Sequence, residues 1–153
     1  IGSLLNLHST KTILLTSNEL PSQATATPGP KNLIIQAEYT VQQYYMDWNE
    51  KDFVASYALL DPTYQQHYSY DVLLPDYQQT HRSCVSIDNS IMMPNNIVKV
   101  FITDNAIEDD LAHPGQTVIH VYQGYFLVQQ YPTGPKLSPY LIIQPGEPGN
   151  CHT

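Results

Sequence analysis

Residues 37–80 read AEYTVQQYYMDWNEKDFVASYALLDPTYQQHYSYDVLLPDYQQT. The stretch opens inside an amphipathic helix. Ile34, Ala37, Val41, Tyr44, Tyr45 and Trp48 recur at spacings of three and four, which is one face of a helix expected over 33–48. Pro30 just ahead is a start signal. Asn49-Glu50-Lys51-Asp52 is a tight break, and Asp52 stands where it can cap a second helix carrying Phe53, Tyr57, Leu59 and Leu60. Asp61-Pro62 stops that helix. A third, Tyr-rich helix is expected around 70–79 with Leu73, Leu74 and Tyr77, and Pro75 reduces it to one turn plus a loop.

After residue 80 the pattern changes to strands and stays there. Residues 83–92 alternate through Val85, Ile87 and Ile91. Residues 96–103 include IVKVFIT, residues 117–131 make a long strand, and residues 139–144 carry Leu141, Ile142 and Ile143. Gly124 inside the long strand predicts a bulge or a sharp bend. Pro, Gly, Asn and Asp clusters mark the turns between strands. Helices first and an antiparallel sheet afterwards make an α+β fold.

The ends of the chain read differently. Residues 1–31 are an arm rich in Ser, Thr, Pro and Gly, with strand character only at Thr12 to Thr16. Residues 32–145 form the domain, and 146–153 are a tail. Truncating the arm is expected to leave the domain folded. The chain opens on Ile1-Gly2-Ser3 without Met, so a removed signal peptide or membrane anchor is expected ahead of it.

Composition narrows the partners. At 153 residues the chain builds one domain with a real core. The charged fraction is 13%, about half the usual share. Gln, Asn, Ser, Thr and 12 tyrosines must therefore supply the polar surface. A net charge of -8 disfavours nucleic acid and anionic membranes, which need a basic face. No apolar run is long enough to span a bilayer. Few lysines and many Tyr, Gln, Asn and Thr point to an exported protein, and the lack of an Asn-x-Ser/Thr sequon to a bacterial one. In that setting Cys84 and Cys151, the two cysteines of the chain, are expected to form a disulfide. Their separation excludes a C-x-x-C motif.

The helix junction VQQYYMDWNEKDFVASYALL at 41–60 resembles the opening of the nuclear-transport-factor-2-like superfamily, also called SnoaL-like. A helix ending in an aromatic pair, a short acidic turn, and a second helix with an aromatic ahead of Leu-Leu and a Pro stop carry the resemblance, which extends over roughly 33–144. It implies a cystatin-like cone, with N-terminal helices packed in the concave face of a curved antiparallel sheet. The superfamily includes isomerases, dehydratases, epoxide hydrolases, transport adaptors and ligand-binding domains, so the resemblance implies no single activity. No residue is carried over from it as catalytic.

The candidate site is then read from the residues themselves. Tyr44, Tyr45, Trp48, His120 and Tyr122 are the pocket-lining candidates. His120 and Tyr122 share a strand face with Val118 and form an inward polar pair. The crowd of tyrosines is otherwise read as amphipathic cover for a core edge. Asp88 is placed on the solvent side, opposite Ile87 and Ile91. Asp104, Glu108, Asp109 and Asp110 are read as a solvated hairpin tip that lacks the ligand spacing of a calcium loop. The histidines show no metal spacing, and no phosphate loop or nucleophile elbow occurs, so no metal, cofactor or catalytic residue is assigned. These readings converge on a noncatalytic extracytoplasmic module for a small apolar ligand or a protein partner. The alternative is a cofactor-free lyase or isomerase that uses His120 and helix-1 tyrosines on a small hydrophobic substrate. Apolar residues on both faces of the central strands, among them Val98, Phe101, Val121 and Phe126, predict a homodimer.

Overall fold

The computed structural model describes residues 28–145 and 149–151. The arm's strand-like segment lies outside the described residues. Four helices come first: α1 (Pro30–Asn49), α2 (Phe53–Ala58), α3 (Pro62–His67) and α4 (Tyr70–Gln79). Four strands follow: β1 (Thr80–Met92), β2 (Val98–Asp109), β3 (Thr117–Tyr131) and β4 (Gly134–Gln144). They form one antiparallel sheet in the order β1-β2-β3-β4. The α+β architecture is as expected.

Helix α1 holds the sheet in shape. It packs against β1, β2 and β4, which include both edge strands, so the sheet wraps around it. Leu33, Ala37, Val41, Tyr44 and Tyr45 are buried on that side. They meet Val98, Val100 and Ile102 of β2, Phe126 and Val128 of β3, and Leu137 of β4. Apolar burial on this scale is the main favourable term in folding.

Local chemistry shapes the helix junctions. Lys51 closes α1 in the left-handed region at φ 65, and its Nζ donates to the carbonyls of Thr80 and His81 at 2.7 and 3.0 Å. Asn49 behaves as a strand neighbour: it accepts from Ser83 N at 2.8 Å and donates to Ser83 O at 2.9 Å. Asp52 caps α2 by accepting from Ala55 N, as its position predicts. Asp61 caps α3 at Thr63 N and also accepts from the Tyr131 hydroxyl at 2.6 Å, tying the helical half to the end of β3.

Several expectations need correction. Helix α2 ends at Ala58, ahead of Leu59 and Leu60, and Pro62 starts a further helix, α3, because proline suits the first helical turn. Helix α4 runs unbroken through Pro75. Packing of buried Tyr77 and of Leu73 holds it together across the missing hydrogen bond. Strand β2 runs on to Asp109 and β4 begins at Gly134, because pairing on the sheet overrides weak local propensity. The register shifts fall in β1, between Thr80 and Arg82 and between Ile87 and Asn89, and not at Gly124; the second acts on the strand face. It turns Ile87 inward and leaves Ile91 39% exposed on the outer face, so the two do not share a side. Asp88 does face solvent, accepting from Thr103 Oγ1 at 2.8 Å. At Gly124 the register is unbroken on both sides. A Cβ there would collide with the Tyr140 carbonyl oxygen of β4, so glycine serves a close backbone approach.

Cys84 and Cys151 are bonded, with Cα atoms 5.5 Å apart. Cys84 lies beside Asn105 on β2, and the Asn105 side chain accepts from Gly149 N at 2.7 Å. These two links bring the chain end back onto the outer face of the sheet.

Candidate functional site

The inner face of the sheet is apolar at one end and polar at the other. Along β2 the inward residues are Val98, Val100, Ile102, Asp104, Ala106 and Glu108. The first three belong to the core. The last three line a cavity of about 750 Å³, closed by α1 and α4 and rimmed by α3 and β4. That volume lies within the range of small-molecule sites.

Aromatic side chains form the helical wall. Tyr44, Tyr45 and Trp48 come from the last turns of α1. Trp48 meets Tyr77 of α4 edge to face at 4.5 Å, and its Nε1 donates to the Tyr77 carbonyl at 3.3 Å. The hydroxyls of Tyr44 and Tyr77 are 3.5 Å apart. Burial pushes both of those phenols up, Tyr77 to about 12, so they remain neutral donors at physiological pH.

Two carboxylates occupy the sheet wall in different environments. Asp104 is 4% exposed, and its Oδ1 has no hydrogen-bond partner among the described residues. Burial raises its pKa to about 7; the Ser83 hydroxyl and the Cys84 amide pull downward without offsetting that, and the Glu108 charge adds to the rise. Glu108 is fully engaged. It accepts from the Tyr122 hydroxyl at 2.9 and 3.1 Å and from Thr80 Oγ1 at 3.2 Å, and His120 Nδ1 lies 2.7 Å from its Oε2. Burial and the neighbouring Glu108 push the Tyr122 phenol well up. Asp104 therefore stands between its two protonation states near neutral pH, while Glu108 sits in a cage of donors.

Of the sequence candidates, Tyr44, Tyr45, Trp48 and Tyr122 line the cavity. His120 shares the Tyr122 face of β3 but is not on the cavity wall. Its ring is 39% exposed and turned to Glu108. The acidic cluster is corrected in part: Asp104 and Glu108 belong to the inner wall, while Asp109 and Asp110 lie toward the β2–β3 turn, bonded to His81 and His113. The period of two through Val98, Val100 and Ile102 continues onto Asp104, Ala106 and Glu108. That alternation was the available sign that both acids point inward. Among the described residues no group of three His, Cys, Asp or Glu side chains is placed to hold a metal.

No protein-family model and no curated protein sequence matches the chain. Among solved structures, a candidate dehydratase from the NTF2-like family of Streptomyces avermitilis is similar to it. The two align with a TM-score of 0.52 at 15% identity, over 71% of this chain and 93% of the other. At that identity the likeness shows the fold alone: the chain has the NTF2-like cone.

Proposed function

We propose that the domain binds a small, largely apolar molecule whose single polar group faces Asp104. The observation that carries this reading is the aromatic cavity of about 750 Å³ whose wall includes Asp104, a buried acid with one carboxylate oxygen unpartnered among the described residues. A buried carboxylate held by only two donors, with one oxygen unpartnered, is costly, and a ligand donor in the cavity would reduce that cost. Trp48, the one tryptophan of the chain, lines the site and reports on it directly. A panel of small aromatic and alicyclic compounds is expected to include binders that both shift Trp48 emission and raise the melting temperature. If no compound in the panel moves either signal, the binding reading fails.

The alternative is the cofactor-free lyase or isomerase. A carboxyl group titrating near neutral pH is suited to taking a proton from carbon, and Asp104 rather than His120 would be that base. The same experiment separates the two. Enzyme-dependent deuterium uptake at an acidic C–H of a binder in heavy water, lost in Asp104→Asn, favours catalysis; binding without exchange favours a noncatalytic module.

The disulfide supports placing the domain in an oxidising, extracytoplasmic compartment. Among the described residues, no helix is long and apolar enough to cross a membrane. The outer face of the sheet supports self-association. Tyr125 stacks on Tyr140 at 5.0 Å, Phe101 lies beside Tyr125, and Ile142 is 64% exposed. Light scattering is expected to give a dimer mass at micromolar concentration, and a monomer would remove this part of the reading.

A further inference from the structure

The electrostatic character of the cavity is one-sided. Three carboxylates reach its wall, Asp76, Asp104 and Glu108, and among the described lining residues there is neither Lys nor Arg; the exposed His67 of α3 is the one basic side chain among them. Tyr44, Tyr45, Tyr64, Tyr68, Tyr77 and Tyr122 with Trp48 supply the aromatic part of the same wall. Lys51, the ammonium anchored beside this end of the sheet, is directed at the backbone carbonyls of Thr80 and His81. The chain as a whole carries a net charge of -8, which draws cations toward it. Glu108 already accepts three kinds of donor, whereas Asp104 is 4% exposed and its Oδ1 accepts none. A neutral ligand would satisfy one lone pair of the Asp104 carboxylate. An ammonium ion would satisfy it and also neutralise the buried charge, in a setting where a charge-assisted bond is about twice as strong as a neutral one. The faces of the surrounding phenols and indole add attraction for a cation and for an apolar body alike.

Resting on the binding reading above, we propose that the natural ligand is an amphiphilic cation. It is a primary or secondary ammonium on an apolar, aromatic-sized body, with its N–H donated to the Asp104 carboxylate and its body against Tyr44, Tyr45, Trp48 and Tyr77. Free anions of the same shape are rejected by Asp104 and Glu108. The group's protonation state follows from this contact. The titratable groups that face Asp104 are Tyr45 of α1, Glu108 of its own strand and Tyr122 of β3. Asp76 of α4 and His67 of α3 stand at the rim, and His120 acts through Glu108. An ammonium ligand holds Asp104 ionised, so its affinity rises with pH through the neutral range, where the free site loses its proton.

The probes are phenethylamine, phenethyl alcohol and hydrocinnamate, similar in shape and differing in charge. Titrations are followed by Trp48 emission and by calorimetry on the full chain. The amine is expected to bind the wild type at least about tenfold more tightly than the alcohol, and the acid more weakly still. In Asp104→Asn the preference for the amine over the alcohol is expected to fall to within about twofold while alcohol binding persists. Circular dichroism of the variant checks that it is folded, and a pH series on the wild type needs no variant at all: amine affinity rises from about pH 5.5 to about pH 8 while alcohol affinity stays flat. Alcohol binding as tight as the amine overturns the cation and leaves the cavity reading standing. Failure of all three probes to bind overturns the cation for this site, and the wider panel above then decides the cavity reading. A pH slope that survives in Asp104→Asn but disappears in His120→Gln assigns the effect to His120 and overturns the Asp104 contact.

Discussion

Asp104→Asn is expected to stabilise the ligand-free domain at pH 8 by about 2–4 kcal/mol and to leave it nearly unchanged close to pH 4. The sign follows from the direction of the shift. Burial raises the folded pKa of Asp104 to about 7, above its value in the unfolded chain. Between the two values the folded state binds the proton and the unfolded state does not. The protonated form's advantage is therefore complete below the unfolded pKa, and it is lost as pH climbs through the folded one. Above that point the wild type keeps a carboxylate in a site where only Ser83 and Cys84 help to hold it. Asparagine has the same shape, carries no charge, and can occupy the site at every pH. Urea midpoints of both proteins at about pH 4, 6 and 8 test this, since slopes from all other groups cancel in the difference. Parallel stability profiles would mean that water or a counter-ion already solvates Asp104, and the argument for a ligand-satisfied Oδ1 would go with it. A gain in stability accompanied by a loss of ligand preference is the pattern expected of a binding residue that the fold itself does not need.

Reducing the Cys84–Cys151 bond is expected to cost about 4 kcal/mol, and a Cys84→Ser/Cys151→Ser variant should show the same loss. The bridge spans a sequence separation of 67 residues that includes most of β1 and all of β2, β3 and β4. Opening it returns a long loop's worth of entropy to the unfolded chain. A domain of this size holds roughly 5–15 kcal/mol of stability in all, so the loss should lower the melting temperature by on the order of 15 °C. It should also release residues 149–151, whose other described tie is the Gly149–Asn105 hydrogen bond. Thermal and guanidinium unfolding with and without reductant measure the effect. Coincident curves would show that the oxidised and reduced chains share one unfolded-state entropy, contrary to this reading. The inner cavity lies on the opposite face of the sheet from the bridge, so Trp48 emission in the folded state should be the same in both forms.

How much of this was legible before folding can be judged element by element. The three-and-four spacing from Ile34 to Trp48 located α1, and the long strand expected over 117–131 has those bounds in the structure. Asp52 announced its cap, and two cysteines in a chain of exported character announced their bond. These features depend on neighbours a few residues away, or on there being a single way to pair. Harder to read was anything set by contact across the sheet. Asp104, Asn105 and Glu108 are poor strand formers, and only pairing with β1 on one side and β3 on the other carries β2 through them. The bulge after Ile87 reverses which side the rest of β1 shows, and nothing in the local alternation marks it. Helix α4 crosses Pro75 because Tyr77 is anchored beneath α1. The site followed the same division. The sequence by itself determined the helix-then-sheet order, the aromatic wall of α1 and the disulfide, because period, capping and cysteine count are local or combinatorial facts. Only the tertiary structure decided that Asp104 is a buried acid near its titration point and that Glu108 is caged by Thr80, His120 and Tyr122, because burial and hydrogen bonding are made by residues far apart in the chain.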